Sequence, residues 1–190
     1  MKYQDLKSFQ VPPGFRGRNA IWVQCWWIVQ ASLFAWSPQF AYKWRSWLLR
    51  LFGAKVGTGV VIRPSVKVTY PWKLSIGDHA WVGDNVELYT LGEIEIGDDA
   101  VVSQNSYLCT GSHDYESETF DIYAKQIKIC EQAWVASDVF IAPGITIGKG
   151  ALVGARSSVF KDMPAGMICA GYPAEPIRER KHNENSSKKP

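Results

Sequence analysis

Aliphatic residues stand six apart along most of this chain, at Val56, Ile62, Val68 and Leu74 and then, after a two-residue shift, at Ile76, Val82, Leu88 and Ile94. A second shift leads to Ile96, Val102 and Leu108, and the count resumes at Ile129, Val135, Ile141, Ile147, Val153 and Val159. Helices do not repeat every six residues and simple strands repeat every two, so neither accounts for the period. A hexapeptide repeat does fit a parallel β-helix, in which each hexad forms one flat side and three sides make a coil. Many of the aliphatics are followed four residues later by a small or β-branched residue, as at Val60, Ala80, Ala100, Ala133 and Ala151. Such a residue fits a tight corner while the aliphatics stack coil upon coil. An antiparallel sandwich would instead need two-residue alternation with hairpin turns roughly every 8 to 12 residues.

Between Leu108 and Ile127 the period fails, and GSHDYESETF (Gly111 to Phe120) intervenes. Repeat proteins confine insertions to loops, often on the binding face, so residues 111–126 are expected to form a loop leaving one edge of the prism. His113 stands where that loop departs, and histidine is the side chain best able to exchange a proton near neutral pH. His79 lies in the turn SIGDHA, at a place where other repeats carry Asp99 and Gln132, and reads as a turn residue. His182 falls in the polar tail, which leaves too few ligands for zinc, and no metal is expected. The cysteines Cys25, Cys109, Cys130 and Cys169 have no CxxC spacing and read as small buried side chains in a reduced setting. A Cys109–His113 nucleophile pair is disfavoured, because the turn between them destroys strand register.

Three regions are expected: a Trp-rich helical segment at 1–53, the β-helix at 54–177, and a polar, disordered tail at 178–190. Within the first, Trp22, Trp26, Val29, Leu33, Trp36, Phe40, Trp44, Trp47 and Leu51 recur in steps of three and four, a helical stripe. Ser37-Pro38 is expected to cap a second helix. The first, Ala20 to Trp36, is apolar on nearly every face yet short for a membrane span. Packing on the β-helix is one reading, and peripheral membrane contact through residues 20–52 is the other. Tryptophans flanked by Arg16, Arg18, Lys43, Arg45 and Arg50 suit a headgroup layer. A formal charge of +3, scattered along the chain, sets nucleic acid aside. Met1 to Phe15 is polar and proline-bearing, unlike a signal peptide, and a cytoplasmic chain is expected, either free or at the inner face of the cytoplasmic membrane.

The hexads, the His113 loop and the closing run GKGALVGARSSVFKDMP from Gly148 resemble the left-handed β-helix acyltransferases, especially the sugar O-acetyltransferases such as the maltose and galactoside enzymes. More narrowly, GFRGRNA from Gly14, QASLFAWSP from Gln30, LFGAK from Leu51, TYPWKL from Thr69 and SYLCTGSHD from Ser106 are similar to the acetyltransferases of colanic acid biosynthesis. The resemblance implies an all-β, left-handed parallel β-helix with an α-helical N-terminal segment, a hand that breaks the right-handed crossover rule. It also implies a homotrimer with sites between neighbouring subunits, acetyl-CoA as co-substrate, and His113 as general base on a sugar hydroxyl.

By the same resemblance, Trp134, Ser137, Ala155, Lys161 and Arg178 are the cofactor-binding positions, and lysine and arginine suit the phosphates of CoA. Phe160 and Glu175 depart from that pattern, standing where the relatives have a threonine and an arginine. Acceptor contacts carry over weakly, to Asp84, Asn85 and Glu87. The implied acceptor is a sugar, or a lipid-linked oligosaccharide, of an exopolysaccharide precursor. An amino sugar or amino acid acceptor, or a non-catalytic membrane-docking role, stands as the alternative. Asp114, Glu116 and Glu118 are candidates to orient the imidazole.

Overall fold

The computed structural model describes residues 2–181. Short parallel strands stack into three sheets, and the chain visits them in strict rotation. The first face holds Lys55–Val56, Leu74–Ile76, Ile94–Ile96, Ile127–Ile129 and Thr146–Ile147. On the second lie Val61–Ile62, Trp81–Val82, Val101–Val102, Trp134–Val135, Leu152–Val153 and Met167–Gly171. Lys67–Val68, Glu87–Tyr89, Tyr107–Cys109, Phe140–Ile141 and Ser158–Val159 make the third. This is the expected parallel β-helix of hexapeptide repeats, with about six turns. The periodic aliphatics pair in register, Ile62 with Val82, Val82 with Val102, Val102 with Val135 and Val135 with Val153, and all are buried. Each fully buried aliphatic contributes about 1.5–3 kcal/mol, so the core ladders carry most of the stability.

The corners explain the residues between the aliphatics. Gly59, His79, Asp99, Gln132 and Gly150 all have positive φ at the corner between first and second faces, and Asn85, Asn105, Asp138 and Arg156 repeat this between second and third. Asn, Asp and His tolerate that left-handed conformation better than most residues, so His79 is a corner residue as expected. Gly97 is required for a different reason: a Cβ there would lie 2.6 Å from the backbone nitrogen of Glu131 in the next coil.

The N-terminal helices close the open end of the prism. Helix α1, Ala20–Val29, is capped by Asn19, whose Oδ1 accepts from Trp22 N–H, and it runs on as a π-helical turn, Gln30–Phe34. Helix α2 spans Tyr42–Leu51. The expected cap at Ser37-Pro38 is corrected, because α2 starts at Tyr42 after Ala41, with no side-chain cap. Instead, Ser37 Oγ and the carbonyls of Pro38 and Gln39 accept from the buried guanidinium of Arg45.

These helices satisfy backbone groups of the first coil on all three faces. Arg50 donates to the carbonyls of Val56 and Gly57, Arg45 Nε to Ile62, and Trp26 Nε1 to Val68, while Gln30 Oε1 accepts from Val68 N–H. An exposed edge of unpaired strands invites aggregation, and this cap removes it. Trp26, Phe34, Leu48 and Leu49 are buried in the same cluster as the ladders, so α1 and α2 pack on the β-helix.

At the other end Met167–Gly171 pairs antiparallel with Ala174–Glu179. Arg178 and Glu179 therefore belong to a strand, which corrects the expected start of the tail. Residues 182–190, with His182, lie outside the described residues.

Candidate active site

Where the hexads stop, the chain turns out of the prism as a hairpin. Gly111–His113 pairs antiparallel with Ile122–Ala124, with His113 opposite Ile122. Thr110 anchors the departure. Its buried hydroxyl donates to the carbonyl of Tyr89 and accepts from Gly92 N–H at 2.8 Å, and its own carbonyl accepts from Lys125 N–H at 2.8 Å. One residue thus fixes both the exit of the hairpin and its return. Thr90 makes the same kind of paired bond to Tyr70 in the coil above.

The imidazole of His113 is held on two sides. Its Nδ1 lies 2.8 Å from the carbonyl of Phe120, and its ring stacks on the Phe120 ring at 4.1 Å with planes 10° apart. A carbonyl only accepts, so Nδ1 carries the proton, and in the neutral ring Nε2 keeps its lone pair. Phe9 adds a tilted aromatic contact at 5.6 Å. Phe120 itself has φ 52°, a left-handed conformation that costs a bulky residue about 1–3 kcal/mol. The turn is over-determined: Phe120 N–H donates to Ser117 O, the Asp121 carboxylate accepts from Ser117 and Thr119, and Asp5 N–H donates to Glu118 O.

Asp114, Glu116 and Glu118 are not the orienting group. Asp114 Oδ1 accepts from Glu116 N–H, and Glu118 uses its backbone carbonyl, so the orienter is the carbonyl of Phe120. Sequence reasoning had no means of finding it, since every residue has a carbonyl. A bulky residue forced to positive φ could have marked it only after the backbone was known.

The remaining positions fall on separate parts of the prism. Asp84, Gln104, Ser137 and Ala155 succeed one another along the edge between the second and third faces, with Asp84, Gln104 and Ser137 carbonyls bonding the coils beneath. Trp134 stands on the second face, exposed, its Nε1 donating to Ser103 Oγ at 2.9 Å. Lys161 follows the last third-face strand, in register below Thr110, and forms an ion pair with Glu175. Arg178 is exposed on the terminal strand, where Nη1 donates to the carbonyl of Glu179.

Within the one chain, therefore, His113 and Lys161 share one edge, while Ser137 and Ala155 share another. Of the weak acceptor candidates, Asp84 is engaged by Arg63 at 2.8 Å and by Ser65 at 2.9 Å, Asn85 reaches Asn105, and Glu87 lies on the third face opposite Tyr107.

Between the two edges the outer side of the third face carries an aromatic ladder that the hexad pattern did not disclose. Tyr89, Tyr107, Phe140, Phe160 and Tyr172 follow one another at 5.9, 5.9, 5.9 and 6.4 Å. Burial, with a hydrogen bond to Cys109, pushes the Tyr107 phenol upward, so it stays protonated at neutral pH.

The hexapeptide repeat of succinyl-transferase family matches residues 73–109. Over 95% of the chain and the whole of the relative, the sequence is 66% identical to the Escherichia coli protein named as a colanic acid biosynthesis acetyltransferase, WcaF. Galactoside O-acetyltransferase of E. coli is 31% identical over 71% of this chain and 68% of its own length. Among solved structures, galactoside acetyltransferase in complex with coenzyme A superposes with a TM-score of 0.79 at 26% identity, covering 90% of this chain and 84% of that one. A hexapeptide-repeat acetyltransferase of Vibrio cholerae complexed with acetyl-CoA gives 0.77 at 25% identity, covering 87% and 92%.

Proposed function

This chain belongs to the hexapeptide-repeat acetyltransferases, and from that premise we propose that it transfers the acetyl group of acetyl-CoA to a hydroxyl of a sugar in an exopolysaccharide precursor, with His113 as the general base. The orientation of the imidazole carries the reading. Nδ1–H is committed to the Phe120 carbonyl, so Nε2 is the nitrogen free to take a proton. Support for the cofactor comes from relatives solved with acetyl-CoA and CoA, and for the acceptor class from the full-length likeness to WcaF.

The step is a direct transfer. Nε2 takes the proton of the sugar hydroxyl as its oxygen attacks the thioester carbonyl, forming the new C–O bond. The tetrahedral intermediate then expels the thiolate, the C–S bond breaks, and the imidazolium returns the proton to give CoA as the thiol. No covalent acyl-enzyme is needed. Lys161 and Arg178 would meet phosphates of CoA, and Trp134, Ser137 and Ala155 its remaining length.

The two-edge distribution supports a site built between subunits of a homotrimer. His113 stands on one edge and Ser137 with Ala155 on the next, so one chain's histidine edge facing a neighbour's second edge would complete the set. Use of acetyl-CoA as donor supports a cytoplasmic site of action.

The test is His113→Ala, assayed by release of free thiol from acetyl-CoA in the presence of acceptor. A fall of about 10²–10⁴-fold in kcat is expected, with oligomer mass and CoA binding retained. Turnover persisting near the parent level overturns the role of His113. Mass spectrometry of the polysaccharide repeat unit, with and without the protein, identifies the hydroxyl.

A further inference from the structure

The helical cap hides one side against the prism and leaves the other apolar. Ile21, Ile28, Leu33, Trp36, Phe40 and Trp44 are all exposed, and Trp36 and Phe40, at 86% and 81%, are almost fully so. Those two lie in the connection between α1 and α2, where a solvent-facing turn would ordinarily be polar. Trp44 is held in place from two sides: it stacks on Trp47 at 5.1 Å, and its Nε1 donates to the Leu33 carbonyl at 3.0 Å. Leu33, Trp36 and Trp44 line one shallow concavity with Pro38 and Ala41, and contiguous exposed apolar surface of this kind marks an interaction site.

Charge is the second observation. From Leu6 to Gly77 the chain has no aspartate or glutamate at all, while lysines and arginines recur, with Arg16, Arg18 and Lys43 exposed beside the patch in the sequence.

We infer that this face docks on an anionic lipid surface, with Trp36 and Phe40 set among the headgroups and Arg18 and Lys43 against the lipid charge. Tryptophan prefers that boundary because one end of the ring system is apolar and the other can hydrogen-bond. Attachment is peripheral, since no helix among the described residues is long and apolar enough to cross a membrane. A second copy of the chain is the poorer occupant. Two such faces would oppose like charges, with no carboxylate in the segment to offset them.

The face is physically tied to the histidine hairpin. Asp5 N–H donates to Glu118 O, Phe9 lies against His113, and the carbonyls of Phe15 and Arg16 accept from Lys73 and Trp72 just before α1 begins. Docking would therefore hold the His113 edge at a set height above the lipid. The inference does not depend on the acetyl acceptor and stands or falls apart from it.

The experiment is co-sedimentation of the full chain with vesicles of phosphatidylcholine alone and of phosphatidylcholine mixed with phosphatidylglycerol. The native chain is expected to pellet with the mixed vesicles and to be released by high salt. The double variant Trp36→Ser, Phe40→Ser should stay in the supernatant with unchanged circular dichroism and oligomer mass. Lys43→Glu should weaken binding to mixed vesicles by about five-fold or more, each cation near an anionic surface being worth about that factor, and leave neutral vesicles unaffected. A native chain that does not pellet, or a double variant that binds like the parent, overturns the inference. So does a double variant with altered oligomer mass, which would assign the face to a subunit contact.

Discussion

The carbonyl of Phe120 and the Nδ1 of His113 lie 2.8 Å apart, and the two rings stack at 4.1 Å, so one residue fixes both the tautomer and the plane of the imidazole. These two constraints can be separated. Phe120→Ala keeps the carbonyl and removes the stack, leaving the ring free to tilt about its remaining hydrogen bond. A loss of about ten- to a hundred-fold in kcat is expected, with the KM for acetyl-CoA unchanged, because a displaced base misses the reacting proton. Steady-state kinetics decide it. Equal changes in kcat and KM would show that the turn, rather than the base, had been lost.

Thr110 holds the hairpin to the prism, and Thr110→Val tests that anchor. Valine fills nearly the same space but leaves the Gly92 N–H without the hydroxyl it donates to, while the Tyr89 carbonyl keeps the N–H groups of Leu91 and Thr110. Leaving a buried polar group unpaired costs about 1–3 kcal/mol. The melting temperature should fall, and hydrogen exchange should quicken at Lys125, whose N–H bonds to the Thr110 carbonyl.

Asp84 serves the scaffold, and pH distinguishes that role from acceptor binding. Burial works against its ionised form, yet hydrogen bonds from Arg63 and Ser65 outweigh it and hold the carboxyl below its ordinary value. A depressed folded pKa contributes stability above the unfolded value, about 3.9, and loses it as pH falls through the folded one. The urea midpoint of Asp84→Asn should therefore lie furthest below the parent near pH 7, with the gap closing below about pH 4. Its acceptor KM should not change.

Lys161 is shared between an internal partner and the proposed phosphate contact. Its ammonium pairs with Glu175, and both side chains are about half exposed, so the pair is weak. Lys161→Ala should raise the KM for acetyl-CoA about five-fold with little change in kcat, whereas Glu175→Ala, which frees the lysine, should lower it. Parallel changes in both variants would separate Lys161 from cofactor binding.

The six-residue period of Val, Ile and Leu determined the β-helix unaided, because side chains that must stack in a dry prism can recur only where the backbone returns to the same face. The same period located its own interruption, and with it the hairpin that carries His113. Closing of the N-terminal coil was not legible. Arg45, Arg50 and Trp26 read as charge and stripe in sequence, yet they serve carbonyls of Ile62, Val56 and Val68, which only the fold brings to the helices.

The orientation of His113 was likewise decided by tertiary structure. It depends on a main-chain carbonyl displayed by a left-handed Phe120, and a backbone group that every residue possesses leaves no trace in composition or spacing. The sequence thus determined which residue could exchange a proton, and the folded hairpin decided which of its two nitrogens is free to do so.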